Sequence, residues 1–255
     1  MIELERVGAY YGQTQRQQVL HDVSMCVPRN QTLVLLGGSG AGKSTVLKTI
    51  LRLVPVADGT IHVDGTDITT LSPTQLRRTI GMVFQQAALF PHLTVADNIA
   101  LPLRVAGVMR DERQVRARDM LALVGLEPGT YADRLPGALS GGQQQRVGVA
   151  RALVTQPSYL LMDEPFSALD ALTRRHLQEE LKTLRTQLGI TILFVTHDAM
   201  EAASLGDAIA VMDNGRIVQQ GSALELMENP AHQAVEHLVS APLRALRGFV
   251  QASVR

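Results

Sequence analysis

Cysteine is almost absent: Cys26 is the only one in 255 residues. A single thiol excludes an internal disulfide and offers no metal-site spacing, which fits a cytosolic location. Net charge is missing too. Lys plus Arg number 24 and Asp plus Glu number 24, so bulk electrostatics makes no case for a nucleic-acid partner. No apolar run approaches the ~18 residues that a membrane-spanning helix needs. The amino terminus, Met1-Ile2-Glu3-Leu4-Glu5-Arg6, lacks the basic and then apolar pattern of a signal peptide. Any role at a membrane must therefore come through a partner. There is no repeat, and the glutamines at 13–18 and 143–145 are too few to form a low-complexity tract.

What is present is 45% hydrophobic and 19% charged residues in a chain long enough to bury a substantial core. The first third reads as strands at Ile2 to Val7, Leu20 to Val27 and Thr32 to Leu36, then a helix from Lys43 to about Leu53. Asp58-Gly59 and Asp64-Gly65 suggest tight turns around a strand Thr60 to Val63, and Ile80 to Phe84 is another strand. Helical spacing takes over at Thr94 to Val105 and Asp111 to Val124, with Asp111 as an N-cap. Alternation then returns with Tyr159 to Met162, Ala171 to Gln187 and Ile190 to Val195. Ala208 to Met212 and Arg216 to Gln219 flank the hairpin signal Asp213-Asn214-Gly215. The fold class is α/β, a βα core interrupted by a helical insertion.

Three motifs carry the chemistry. Gly37-Gly38-Ser39-Gly40-Ala41-Gly42-Lys43-Ser44-Thr45 fits GxxxxGKS/T between an apolar strand and a helix. Glycines let main-chain N–H groups approach phosphate oxygens, and the helix points its positive end at the same anion. Lys43 is expected to reach the β- and γ-phosphates and Ser44 to offer its hydroxyl to Mg²⁺. Tyr159-Leu160-Leu161-Met162-Asp163-Glu164 is an apolar strand ending in two acids. Asp163 can hold Mg²⁺ directly or through water, and Glu164 is the candidate general base for an attacking water. Leu139-Ser140-Gly141-Gly142-Gln143-Gln144-Gln145-Arg146 opens a helix from about Gln143 to Leu153 with Ser140 as N-cap, an anion site without an obvious lysine.

This ordered set resembles the ATP-binding-cassette (ABC) ATPases over almost the whole chain. The resemblance implies a P-loop NTPase (RecA-like) core, an N-terminal antiparallel β-subdomain and an inserted α-helical subdomain. The ABC ATPase domain would be 1–240, with the core at about 1–87 and 156–240 and the helical subdomain at about 88–155. It implies ATP and Mg²⁺ as cofactors and a second copy of the chain as partner, the signature of one copy binding the γ-phosphate held by the other's phosphate loop. Gln85 matches the Q-loop glutamine that touches Mg²⁺ and water and links to the membrane partner. His197 in Phe194-Val195-Thr196-His197-Asp198 matches the switch histidine at the γ-phosphate, and Pro165-Phe166-Ser167-Ala168-Leu169-Asp170 resembles the D-loop. Tyr11, before Gly12, matches the adenine-stacking aromatic, with Tyr10 its competitor.

Phe90-Pro91-His92-Leu93-Thr94-Val95-Ala96-Asp97-Asn98-Ile99 and Thr196 to Ala202 resemble the import branch. Tyr131 to Arg134, Leu205 to Gly221 and Glu228-Asn229-Pro230-Ala231 are similar to ATPases of osmoprotectant importers for glycine betaine, choline or carnitine. The implied role is the ATPase subunit of such an importer on the cytoplasmic face of the membrane. It would be held there by permease subunits and served through them by an extracytoplasmic substrate-binding protein. Polyamine, amino-acid and inorganic-ion importers stay open, because no position here contacts cargo. Many members of that branch carry paired CBS domains beyond this point, whereas here the chain stops at Arg255. The tail at 241–255 holds Arg244, Arg247 and Arg255, with Leu243, Leu246 and Phe249 at three-residue spacing, and reads as a short helix packing on its own domain, with docking onto a partner or an anionic membrane surface as the alternative. Coiled-coil repair ATPases, twin-cassette ribosomal ATPases and a non-hydrolysing scaffold are the rival classes. They are opposed in turn by the short span from Lys43 to Ser140, the single cassette, and the presence of both Glu164 and His197.

Overall fold

The computed structural model describes residues 1–11 and 17–253, with side chains through residue 247. The chain opens with β1 (Ile2–Tyr11), β2 (Gln17–Val27), β3 (Thr32–Gly37), α1 (Lys43–Ile50), β4 (Asp58–Val63) and β5 (Thr66–Asp67). Next come α2 (Pro73–Thr79), β6 (Ile80–Val83), α3 (Val95–Val105), α4 (Arg110–Leu123), α5 (Pro128–Tyr131) and α6 (Gly141–Leu153). They are followed by β7 (Tyr159–Asp163), α7 (Ala171–Leu188), β8 (Thr191–Thr196), α8 (Ala199–Leu205), β9 (Ala208–Asp213) and β10 (Arg216–Gly221). Helices α9 (Ala223–Glu228), α10 (Gln233–Val235) and α11 (Ala241–Ser253) close it, with a π-helical turn at Glu236–Ser240. Two compact units result, Met1–Leu76 with Thr191–Arg255, and Arg77–Ile190.

The first unit holds an antiparallel sheet of order β2-β1-β4-β5 and strands in the order β10-β9-β3-β8. β3 is parallel to β8, with Leu36 opposite Thr196, and to β9, with Gly37 opposite Met212. Every residue of β3 and β8 is buried, so both segments read as continuous apolar runs rather than alternating ones. β9 and β10 are joined at Asn214 and Gly215, with φ of 45° and 75°, as a two-residue hairpin turn requires. Asp58-Gly59, expected as a turn, lies instead inside β4. Gly59 has φ 80°, and a Cβ there would sit 2.2 Å from the Glu5 carbonyl oxygen, opposite the register shift between Glu5 and Gly8. The dipeptide serves a bulge, where only glycine lets the two backbones come so close. Helix α1 also stops at Ile50, short of Leu53: Arg52 adopts φ 53°, and its guanidinium donates to the carbonyls of Ile68 and Leu71.

In the second unit β6 is parallel to β7, with Val83 opposite Met162, and α3 to α6 lie between them in sequence. A helical insertion therefore separates these two strands in the chain. Thr94 caps α3 by accepting from the Asp97 N–H. The buried Asn98 fastens the preceding loop, donating to the carbonyls of Phe90, Leu93 and Thr94 and accepting from the Phe90 N–H. The N-cap of α4 is Met109 rather than Asp111. Asp111 lies in the first turn, where its charge complements the helix dipole instead of replacing a backbone partner. Gly81 lets α6 approach β6, since a Cβ there would lie 2.5 Å from the Ala152 carbonyl oxygen.

The tail helix packs on its own unit: Arg244 reaches Glu236 and the Met227 carbonyl, and Arg247 pairs with Glu228 at 3.7 Å. The Phe249 side chain and Arg255 lie outside the described residues. Among the described residues no helix is long and apolar enough to cross a membrane.

Candidate functional site

β3 delivers the chain to Gly37 and α1 begins at Lys43, so Gly37 to Thr45 form the strand, turn and helix start that phosphate binding requires. Gly40 and Gly42 have φ of 78° and 104°, open to glycine and strained for other residues. A Cβ at Gly37 would lie 2.5 Å from the Met212 carbonyl oxygen, whereas one at Gly38 or Gly40 would meet nothing within 4 Å. The loop is thus closed against β9 on one side and open on the other. Ser39 is exposed, Ala41 is buried, and α1 starts without a side-chain cap, so the positive helix end faces the loop. Lys43 is 5% exposed, and its ammonium donates to the Gly37 carbonyl at 2.8 Å and the Gly38 carbonyl at 2.9 Å. That curls the charge over the loop. Ser44 follows, half-buried, and Thr45 turns inward.

His197 leaves β8 directly after Thr196. Because Leu36 and Thr196 are opposite each other in parallel strands, His197 and the glycine loop leave the same sheet edge from neighbouring strands. The His197 ring is exposed, and the residues on either side are tied down: Thr196 Oγ1 donates to Glu201 Oε2 at 2.6 Å and accepts from the Asp198 N–H at 3.0 Å. Tyr11 ends β1, 41% exposed, and its hydroxyl accepts from Lys48 of α1 at 3.3 Å. The Lys48 ammonium also stands 5.9 Å from the Tyr11 ring centroid. Tyr11 therefore reaches the helix of the phosphate loop; Tyr10 is half-buried, and Gly12 lies outside the described residues.

The second unit gathers the other half of the motif set. Asp163 is half-buried at the end of β7, and Glu164 follows with φ 44°, a left-handed backbone uncommon outside glycine. Its carbonyl accepts from the Ser167 N–H at 3.3 Å and the Ser167 hydroxyl at 3.0 Å, which holds that turn. Gln85, beyond β6, donates from Nε2 to the same Ser167 hydroxyl at 3.2 Å. Since β6 and β7 are parallel neighbours, Gln85 and the acid pair emerge at one edge. Ser140 caps α6 in a full capping box: its hydroxyl accepts from the Gln143 N–H at 3.3 Å, and Gln143 Oε1 accepts from the Ser140 N–H at 2.9 Å. Gly141 and Gly142 approach Leu169 and the first turn of α7, with Leu169 Cδ2 3.9 Å from a Cβ at Gly141 and Thr173 Cγ2 2.7 Å from one at Gly142. Asp170 is the N-cap of α7. The Thr173 N–H, followed by its other bonds there, holds the Asp170 carboxyl below the ordinary carboxylate range.

Lys48, Ser167 and Glu201 were not singled out in the sequence. Lys48 and Ser167 have no local pattern tying them to Tyr11 or Gln85. Glu201 had a weak one, three residues after the helix-capping Asp198. Among the described residues no group of three or more His, Cys, Asp and Glu is placed to hold a metal ion.

The family model described as "ABC transporter" matches residues 20–167. The glycine betaine/carnitine/choline transport ATP-binding protein OpuCA of Bacillus subtilis (strain 168) is 44% identical over 94% of this chain and 62% of its own length. The glycine betaine/proline betaine transport system ATP-binding protein ProV of Escherichia coli (strain K12) is also 44% identical, over 91% of this chain and 57% of its own. The spermidine/putrescine import ATP-binding protein PotA of Haemophilus influenzae (strain 86-028NP) is 42% identical over 94% of this chain and 62% of its own. The chain thus spans less than two thirds of the length of these relatives. Among solved structures, a dimeric post-hydrolysis state of the ATP-binding cassette MJ0796 bound to ADP and Pi superimposes with a TM-score of 0.78 at 35% identity. The match covers 87% of this chain and 98% of that one. A P-loop core with an N-terminal antiparallel sheet and an inserted helical segment is the fold they share. With a family model over more than half its residues and a solved cassette covered almost end to end, the chain belongs to the ABC transporter family.

Proposed function

We propose that this chain is the ATP-hydrolysing subunit of an ABC importer, serving quaternary-amine osmoprotectants such as glycine betaine. The observation that carries it is the open glycine loop at the uncapped start of α1, with Lys43 curled over it and His197 at the neighbouring strand end. Backbone N–H groups would take the phosphate oxygens, and Lys43 would exchange its two carbonyl partners for β- and γ-oxygens. Tyr11 would stack on adenine. Glu164 accepts a proton from water as the water oxygen bonds to the γ-phosphorus. The bridging P–O bond breaks, and ADP leaves with the electron pair. His197 and the amides stabilise the charge that builds on the γ-oxygens. The oxygens of Ser44, Asp163 and Gln85 are hard donors that suit Mg²⁺, which would supply Lewis-acid charge to the phosphates.

Two copies would close around two ATP, with Ser140, Gly141, Gly142 and Gln143 of one facing the phosphate loop of the other and Asp170 at the seam. The dimeric form of a similar cassette supports this. The helical segment at about 88–155 and the Gln85 region would face the permease on the cytoplasmic side, and a substrate-binding protein would act from the other side of the membrane. The osmoprotectant branch rests on the relatives named for glycine betaine, carnitine and choline transport. The 42% identity to PotA keeps a polyamine importer as the second reading.

The test is ATP turnover with permease and binding protein in lipid, adding glycine betaine, choline, carnitine, spermidine and amino acids in turn. Stimulation by the quaternary amines supports the branch, and stimulation by spermidine alone replaces it. Basal turnover that no solute changes overturns the importer reading.

A further inference from the structure

We propose that Glu201 is a positioning residue for hydrolysis, acting through Thr196 to hold the His197 backbone; this rests on the proposed role of His197. His197 itself is exposed. Its two neighbours are fixed by one hydroxyl. Thr196 Oγ1 donates to Glu201 Oε2 at 2.6 Å and accepts from the Asp198 N–H at 3.0 Å, bracketing His197 with a bond on each side. The 2.6 Å separation falls in the range of charge-assisted O–H···O⁻ bonds. Both anchors are inside the protein, Thr196 at 2% and Glu201 at 5% exposure. A buried carboxylate is costly unless hydrogen-bonded, so the pair is a poor choice for core filling alone. The end of the bracket nearest the helix is secured separately, because Asp198 caps α8 through the N–H groups of Met200 and Glu201. Thr196 is in turn the last residue of a fully buried strand in register with the strand that feeds the phosphate loop. Removing the carboxylate frees the hydroxyl to rotate, and the loop between strand and helix loses the bond that sets the angle of His197.

The test uses the full chain with ATP and Mg²⁺, comparing Glu201→Ala, Glu201→Gln, Thr196→Val and Thr196→Ser with the wild type. Glu201→Ala and Thr196→Val are expected to lower kcat by about ten- to a hundredfold, the scale of a slightly misplaced catalytic group, with KM for ATP nearly unchanged. Glu201→Gln and Thr196→Ser, which keep an acceptor and a hydroxyl, are expected to recover most of the rate. In a His197→Ala background, Glu201→Ala should cost nothing more. Hydrogen exchange at the Asp198 amide, read without hydrolysis, should quicken in both disruptive variants. Thr196→Val, which keeps its shape, covers the case in which Glu201→Ala does not fold. The proposal is overturned by unchanged kcat in folded Thr196→Val, or by an Asp198 amide that exchanges as in the wild type. A loss that adds fully to that of His197→Ala would overturn it too. A wild-type chain that binds ATP but never turns it over would instead overturn the hydrolase reading and this role with it, while the exchange result would still report whether the bracket exists.

Discussion

Glu164 is the proposed general base, and its position is unusual in two ways. It sits one residue past the buried strand β7, and its backbone adopts φ 44° under two bonds from Ser167. Replacing the carboxylate by an amide keeps the shape and removes the proton acceptor. Glu164→Gln should therefore lower kcat by about 10²–10⁴-fold while ATP affinity stays close to wild type, as steady-state turnover and equilibrium ATP binding would show. Asp170 makes a different prediction. Its folded pKa is lowered by accepted hydrogen bonds, first from the Thr173 N–H. Its stabilising contribution is therefore complete above the ordinary aspartate range and is lost as pH falls through the lower folded value. Asp170→Asn, which keeps a cap, should show a shallower loss of stability on the acid side, measured by thermal unfolding from neutral to low pH.

Among the elements, α6 carries the signature at its first turn, and its start is satisfied by the reciprocal bonds of Ser140 and Gln143. Ser140→Ala removes one of them and should destabilise the fold by about 1 kcal/mol, readable as a lower urea midpoint with an unchanged slope. The body of the same helix is held close to β6 by a missing side chain, since any Cβ at Gly81 meets the Ala152 carbonyl at 2.5 Å. Gly81→Val forces helix and strand apart and should cost about 1–3 kcal/mol in the same measurement. Elements whose signal is contiguous were legible in the sequence: β3 and β8 as unbroken apolar runs, the Asn214-Gly215 hairpin, the Ser140 cap. Elements set by a distant backbone were not. Gly59 looked like a turn because its bulge is defined only opposite Glu5, and α1 looked longer because Arg52 is drawn away by carbonyls at 68 and 71.

For the molecule as a unit of assembly, the proposed closure of two copies around ATP has a direct consequence. Glu164→Gln with ATP should run at twice the monomer mass in size-exclusion chromatography with light scattering, and return to monomer when ADP replaces ATP. A monomer under both conditions would sink the shared-site reading.

The glycine loop, the acid pair and the Ser140 helix start could be read from residue order because each is a contiguous run with a local backbone signal: glycine torsions, a strand end, a helix start. Family membership followed from their sequence and spacing. Which tyrosine reaches α1 and that Gln85 donates to Ser167 came from the folded chain alone. Those pairings join residues on different elements. Strand register and burial set them, and both arise only when segments far apart in the chain pack together.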